Sequence, residues 1–353
     1  MRTMKALSRP LGKVLALVCA LALAIPADVQ AAVNSGAKTD ISKAVITVAD
    51  QTYNGSAQTA AVTVKVDKNT LKEGTDYTVS GNKNTNAGTY TLEVKGMGNY
   101  TGTAKKQYQI KAKSVSGLSA TAKTVTYNGK NQTAGIEVKD GSRTLKKGTD
   151  YTVSGTTKAK EAGKYTITVN GKGNYSGTKK ITFTIKAKSV SGLSATAKAV
   201  TYSGKNQTAG IVVKDGSKTL KKGTDYTVSG TTKAKKAGKY TITIKGKGNY
   251  SGTKKITFTI KKASQKITVK GTTSVKASTV KKASKKYQLK VSGVKEKAKV
   301  SYKSDSKKIT VDKNGKVTVK KGTKKGTKAT ITITVASTGN YKKTTKKVTF
   351  QVK

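Results

Sequence analysis

One phrase, Gly-x-Gly-Asn-Tyr-x-Gly-Thr, recurs at a fixed interval and restricts the possible folds more than any other feature of the chain. It occupies 96–103, 171–178 and 246–253, so successive copies lie 75 residues apart, and a reduced copy, Gly339-Asn340-Tyr341, follows near the C-terminus. The runs on either side alternate apolar residues with Thr or Lys. Tyr165, Ile167 and Val169 lead into the second copy, and Ile181, Phe183 and Ile185 leave it. A period of two puts each set on one face of a strand. Glycine and asparagine tolerate positive φ, so the phrase reads as the connection of a β-hairpin. Its tyrosine is the one large side chain present and is expected to fold back onto the core. Self-similarity at a fixed period identifies a tandem array.

Other landmarks keep the same order. Thr126-Tyr127-Asn128-Gly129, Thr149-Asp150-Tyr151-Thr152-Val153 and Ala162-Gly163 in one repeat return as Thr201-Tyr202-Ser203-Gly204, Thr224-Asp225-Tyr226-Thr227-Val228 and Ala237-Gly238 in the next. A drifted version begins at Ile41. The reading divides the chain into a linker at 32–40, repeats at 41–112, 113–187 and 188–262, and a last segment at 263–353 that breaks the period. About six short strands are expected per repeat, enough for a two-sheet sandwich. No stretch shows helical periodicity. The fold class predicted is all-β: tandem sandwich modules arranged as an elongated rod behind a cleaved signal peptide.

The signal peptide is assigned to residues 1–31. Arg2, Lys5, Arg9 and Lys13 precede an apolar run from Val14 to Ile25, and small residues follow at Ala27, Ala31 and Ala32. That order marks secretion, and the run is too short for a permanent span. Cys19, the only cysteine, falls inside it, and Val18 before it departs from a lipoprotein site. A secreted chain without cystine staples points to a Gram-positive export route, with the product extracellular or associated with the cell wall and no transmembrane span after cleavage.

Charge narrows the partners. The chain carries 71 Lys+Arg against 16 Asp+Glu, and Arg143 is the only arginine beyond the signal segment. Such an excess attracts polyanions. Lysine is a hydrated point charge, whereas bidentate recognition of phosphate or guanine favours arginine, so the attraction expected is diffuse and salt-sensitive. The contact residues singled out are Lys179, Lys180, Lys254, Lys255, Lys324, Lys325, Lys346 and Lys347. The partners expected are anionic cell-wall polymers or other polyanions, with host or neighbouring-cell glycans as a further class. Lysine pairs on strands also have a plainer reading, as solvated faces and guards against edge pairing.

Catalytic chemistry finds little support. Histidine is absent, which removes Ser-His and Cys-His nucleophiles and the commonest metal ligand. Asp76, Asp150 and Asp225, with Asp140 and Asp215, sit beside Gly, Ser or Thr at predicted turns, where Asp caps its own backbone. Calcium needs several clustered oxygens, and scattered acids among so many bases do not supply them. Gly171-Lys172-Gly173-Asn174-Tyr175-Ser176-Gly177 has its third glycine one position late for a dinucleotide fingerprint and precedes a strand. No catalytic, cofactor or metal residue is assigned, and no cofactor is expected. An intramolecular Lys–Asn isopeptide bond would need a Lys, an Asn and an acid buried together.

The phrases at 127–134, 145–153 and 171–178, kept in order and spacing, resemble those of bacterial surface Ig-like modules over residues 41–262. Residues 302–306, 309–318 and 329–335 are similar to the group 2 bacterial Ig-like domain, a β-sandwich of invasin and intimin type, with extra lysines in Gly326-Thr327-Lys328-Ala329-Thr330-Ile331. The resemblance implies an Ig-like fold and a non-catalytic surface role as spacer or adhesive stalk. The alternative is a module that captures teichoic acid, extracellular DNA or acidic polysaccharide.

Overall fold

The computed structural model describes residues 36–353; the signal-peptide reading, Cys19 and the start of the linker lie outside the described residues. Among the described residues, helix is limited to Ala277–Val280 and two 3-10 turns, Val115–Gly117 and Val190–Gly192. Everything else regular is strand, as the alternating pattern requires. The chain divides into two compact units: residues 36–118 with 145–152 and 169–179, and residues 119–144, 153–168 and 180–353.

In the first unit, Gln51–Thr52, Thr103–Lys111, Gly88–Gly96 and Tyr77–Ser80 form a four-stranded sheet in that spatial order. Its pairs are antiparallel except that Gln51–Thr52 runs parallel to the Thr103–Lys111 strand. Val45–Val48, Val62–Val66 and Asn69–Thr70 make a second sheet. Leu92, Val94, Tyr108 and Ile110 from the first sheet and Ile46 and Val64 from the second are buried.

The second unit holds the third repeat complete, with the same order: Val200–Thr201, Thr253–Lys261, Gly238–Gly246 and Tyr226–Gly230, beside Ser194–Lys198, Gly210–Asp215 and Lys218–Thr219. Ile242, Phe258 and Ile260 pack across the layer against Ala197 and Ile211, so the two sheets face each other. Five strands of this repeat exceed three residues, and the remaining pairings are two residues long. The last segment repeats the plan. Phe350, Ile331 and Ile333 of its four-stranded sheet meet Val317, Val319 and Ile309 of the three-stranded one. The fold is all-β, built of Ig-like sandwich modules in tandem.

The recurring phrase is a hairpin connection, as expected. Gly238–Gly246 and Thr253–Lys261 pair antiparallel, Lys245 opposite Thr253 and Tyr240 opposite Phe258. Within the connection, Tyr250–Ser251 forms a short strand of its own that runs parallel to Lys188–Ser189. That tight return needs glycine at 246, because a Cβ there would stand 2.5 Å from the amide nitrogen of Ser251. Asp312-Lys313-Asn314-Gly315 forms a turn: Asp312 accepts from the amides of Asn314 and Lys316, and Gly315 has φ 77°.

Candidate functional site

The asparagine and tyrosine of each phrase do not serve only their own repeat. Asn174 turns its side-chain oxygen to the backbone N–H of Ala87, 2.7 Å away and 87 residues earlier. Asn249 does the same to Ala162, and Asn340 to Ala237, both at 2.7 Å. The acceptor assignment is fixed by chemistry, since a backbone amide only donates. The adjoining tyrosines meet those of the Tyr-Asn-Gly landmark in the same way. Tyr175 lies edge-on to Tyr53, Tyr250 to Tyr127 and Tyr341 to Tyr202, with ring centroids 5.5, 5.6 and 5.5 Å apart. Edge-to-face geometry is the favoured one for such rings. Tyr175 and Tyr250 are buried in the core, as expected, and each also closes a joint with the preceding repeat.

Backbone hydrogen bonds within each module hold the two halves of the joint in place. Lys113 donates to the carbonyl of Asn174, Lys188 to that of Asn249, and Ala263 to that of Asn340. The tyrosines on the other side are held by Tyr127 N–H on Lys186 O and Tyr202 N–H on Lys261 O. In the first copy Asn99 is exposed and Tyr100 half-buried; at the joints Tyr175 and Tyr250 are buried and Tyr341 is half-buried. The sequence held one signal for the joint. The worn fourth copy loses its outer glycines and keeps Asn340-Tyr341, the two residues that reach across.

The amide nitrogen of each asparagine needs an acceptor, and the three joints find it differently. Asn174 donates to Asn86 at 3.0 Å, and Asn249 donates to the Glu161 carboxylate. In the third joint the equivalent residue is Lys236, which cannot accept, and Asn340 donates instead to Glu296, 2.5 Å away on its own module. Hydrogen bonds from Thr338 and then Asn340 hold the Glu296 carboxyl below its ordinary value of 4.5, with Lys236 adding a smaller favourable charge. A depressed carboxylate pKa stabilises above the unfolded value and is lost as pH falls through the folded one. The Asn340 side-chain amide resonances are thus expected to shift with a midpoint below 4.5, and not at all in Glu296→Gln. A midpoint at or above 4.5 would remove Glu296 from the joint.

The aspartates separate into two groups. Asp76, Asp150 and Asp225 accept from the amides of Lys72, Lys146 and Lys221 at 2.8–2.9 Å, the turn-capping role expected. Asp215 departs from that reading. It pairs with Lys188 Nζ at 2.6 Å and accepts from the Tyr250 hydroxyl at 3.2 Å, which ties the phrase to its sheet. Burial, then the Asp215 charge, pushes the Tyr250 phenol upward. Among the described residues no three His, Cys, Asp or Glu side chains gather as a metal site would require, and no helix is long and apolar enough to cross a membrane.

Within each lysine pair on a strand, the two side chains take opposite faces. Lys254 stands opposite Ile244 on the core-facing side of its strand and donates to Ser191 O at 2.9 Å, while Lys255 faces the other way opposite Thr243. Lys179 similarly donates to the carbonyls of Ser116, at 3.2 Å, and Leu118, and Lys180 is exposed. Lys346 pairs with Ile333 and Lys347 with Thr332, on opposite faces of their sheet. Two successive residues in a strand cannot share a face. Lys324 and Lys325 lie in an exposed turn instead.

No protein family and no curated protein matches the chain. Among solved structures, invasin, a bacterial integrin-binding protein, is 13% identical with a TM-score of 0.30, covering 88% of this chain and 79% of its own. Drosophila N-cadherin EC1-4 is 10% identical with a TM-score of 0.22, covering 91% and 94%. The Sidekick-1 immunoglobulin domains 1-5 are 10% identical with a TM-score of 0.24, covering 88% and 79%.

Proposed function

We propose that the chain is a secreted, non-catalytic surface array, a spacer or adhesive stalk of the bacterial Ig-like kind, kept beside the envelope by its basic surface. The modules are read as residues 41–112, 113–187, 188–262 and 263–353. The observation that carries this is the joint: the same Asn-to-amide bond and tyrosine pair occur three times, each between one repeat and the next. A joint repeated in this way gives the array continuity from one module to the next. The basic surface supplies long-range attraction to an anionic neighbourhood.

Asn249→Ala tests the array. It leaves the half-buried N–H of Ala162 without its acceptor, at a cost of about 1 kcal/mol. Neighbouring repeats coupled through their interface unfold together, so loss of the joint is expected to split one denaturation transition into two. An unchanged midpoint and a single transition would show that the joints do not couple the repeats, and the array reading would fall.

A further inference from the structure

Charge is not spread evenly. Residues 41–262 hold 40 Lys+Arg and 11 acids, while residues 263–353 hold 26 lysines and three acids, with no arginine. The three acids, Glu296, Asp305 and Asp312, are already occupied by Asn340 and by the amides of Thr330, Asn314 and Lys316. Among the described residues, no lysine of this last module forms an ion pair.

The topology then collects these lysines at one end. Residues 320–327 read Lys-Lys-Gly-Thr twice over, and each tetrad forms the same turn. Thr323 Oγ1 donates to Lys320 O at 2.6 Å, and Thr327 Oγ1 donates to Lys324 O at 2.8 Å. Gly322 and Gly326 take φ of 74° and 89°, and their amides donate to the carbonyls of Val280 and Val352, both at 2.9 Å. The double turn is thereby fastened to the core, while Lys320, Lys321, Lys324 and Lys325 all remain exposed. Other lysine-bearing segments meet it. Lys320 N–H bonds Lys308 O, Lys321 N–H bonds Ser284 Oγ, and Ala277 N–H bonds Lys353 O. Five lysines in 276–286, two at 307–308, five in 320–328 and Lys353 so converge. The Lys328–Val335 strand starts at this pole and ends beside Ala336 and the joint, a rise of about 27 Å for eight residues.

We infer that this lysine pole is a binding site for a flexible polyol-phosphate polymer of the envelope, held through its phosphodiester charges. The backbone is fastened in advance, so the lysine side chains alone need ordering. Ammonium point charges suit a flexible chain of single negative charges. With no arginine fork and no exposed aromatic ring in the double turn, the pole offers nothing to read a base. The inference rests on the proposal that charge keeps the array at an envelope, and it assigns that attraction to one place.

The test uses the secreted chain and a defined poly(glycerol phosphate), with affinity followed against salt. The pole variant carries Gln at 320, 321, 324 and 325. The control variant carries Gln at the equally exposed Lys295, Lys299, Lys342 and Lys343 near the joint, an equal loss of charge. The pole variant is expected to bind at least about tenfold more weakly, with a salt slope shallower by about 3, since each lysine contact releases about 0.7 of a counterion from a flexible strand. The control is expected to lose less than about threefold, because exposed charges farther away than the screening length contribute little. Unchanged thermal unfolding of both variants keeps folding out of the comparison. Equal weakening of the two would overturn the pole while leaving charge retention in place. No binding by the parent chain at low salt would overturn retention itself. Tighter binding of a single-stranded oligonucleotide with the same number of phosphates would overturn the polyol-phosphate assignment.

Discussion

Tyr250→Ala is expected to destabilise the third repeat and its joint by about 3–5 kcal/mol, the range for removing a buried aromatic ring. Tyr250 is 2% exposed, its ring stands edge-on to Tyr127 at 5.6 Å, and its hydroxyl bonds Asp215 at 3.2 Å. Alanine leaves a cavity between two repeats, and Asp215 retains Lys188 but loses its second partner. Tyr250→Phe separates the contributions, because it keeps the ring and removes one hydrogen bond worth about 1 kcal/mol. Chemical denaturation of the three proteins measures both steps. A cost for Tyr250→Ala as small as that of Tyr250→Phe would mean that the ring pair does not stabilise the joint.

Gly246→Ala follows at about 3 kcal/mol, the upper part of what overpacking ordinarily costs. Gly246 donates to the carbonyl of Gly252 at 3.0 Å, closing the loop of the phrase on itself. A Cβ would meet Ser251 N at 2.5 Å and Tyr250 C at 2.7 Å, and these are backbone atoms with no rotamer to yield. Relief requires moving Tyr250–Ser251, and with it the joint. Gly192→Ala is the matched comparison. It sits in a 3-10 turn with open space around the added carbon and no positive φ. There the loss of unfolded-state freedom is expected to leave stability unchanged or raise it by about 0.4–1 kcal/mol. Melting temperatures that fall equally in both variants would refute the close-approach account.

Much of the fold was legible along the chain. Ile242, Ile244, Phe258 and Ile260 alternate with Thr and Lys, and the same residues are buried in the sheet they predict. The hairpin turns at Gly248, Gly252 and Gly315 were marked by the residue type that positive φ demands. The capping of turns by Asp76, Asp150 and Asp225 was also legible, because an aspartate reaching a nearby amide is a local event. Asp215 sits in an equally turn-like sequence and bonds Lys188 and Tyr250, far along the chain, so local chemistry misassigned it. The facing of the lysine pairs was not legible in the sequence either. Adjacent in sequence, Lys254 and Lys255 part to opposite faces, and Lys254 uses its charge on the carbonyl of Ser191.

What the sequence alone determined is the period, the strand character and the surplus of positive charge, since composition and alternation act residue by residue. The tertiary structure decided which side of each phrase its Asn and Tyr serve, and where the lysines of the last module converge. Those outcomes depend on contacts between residues some 87 positions apart, such as Ala87 and Asn174, and on carbonyls such as those of Val280 and Val352 that anchor a distant turn. A hydrogen bond at that separation is not set by local propensity, because its partners meet only when one folded repeat docks on the next.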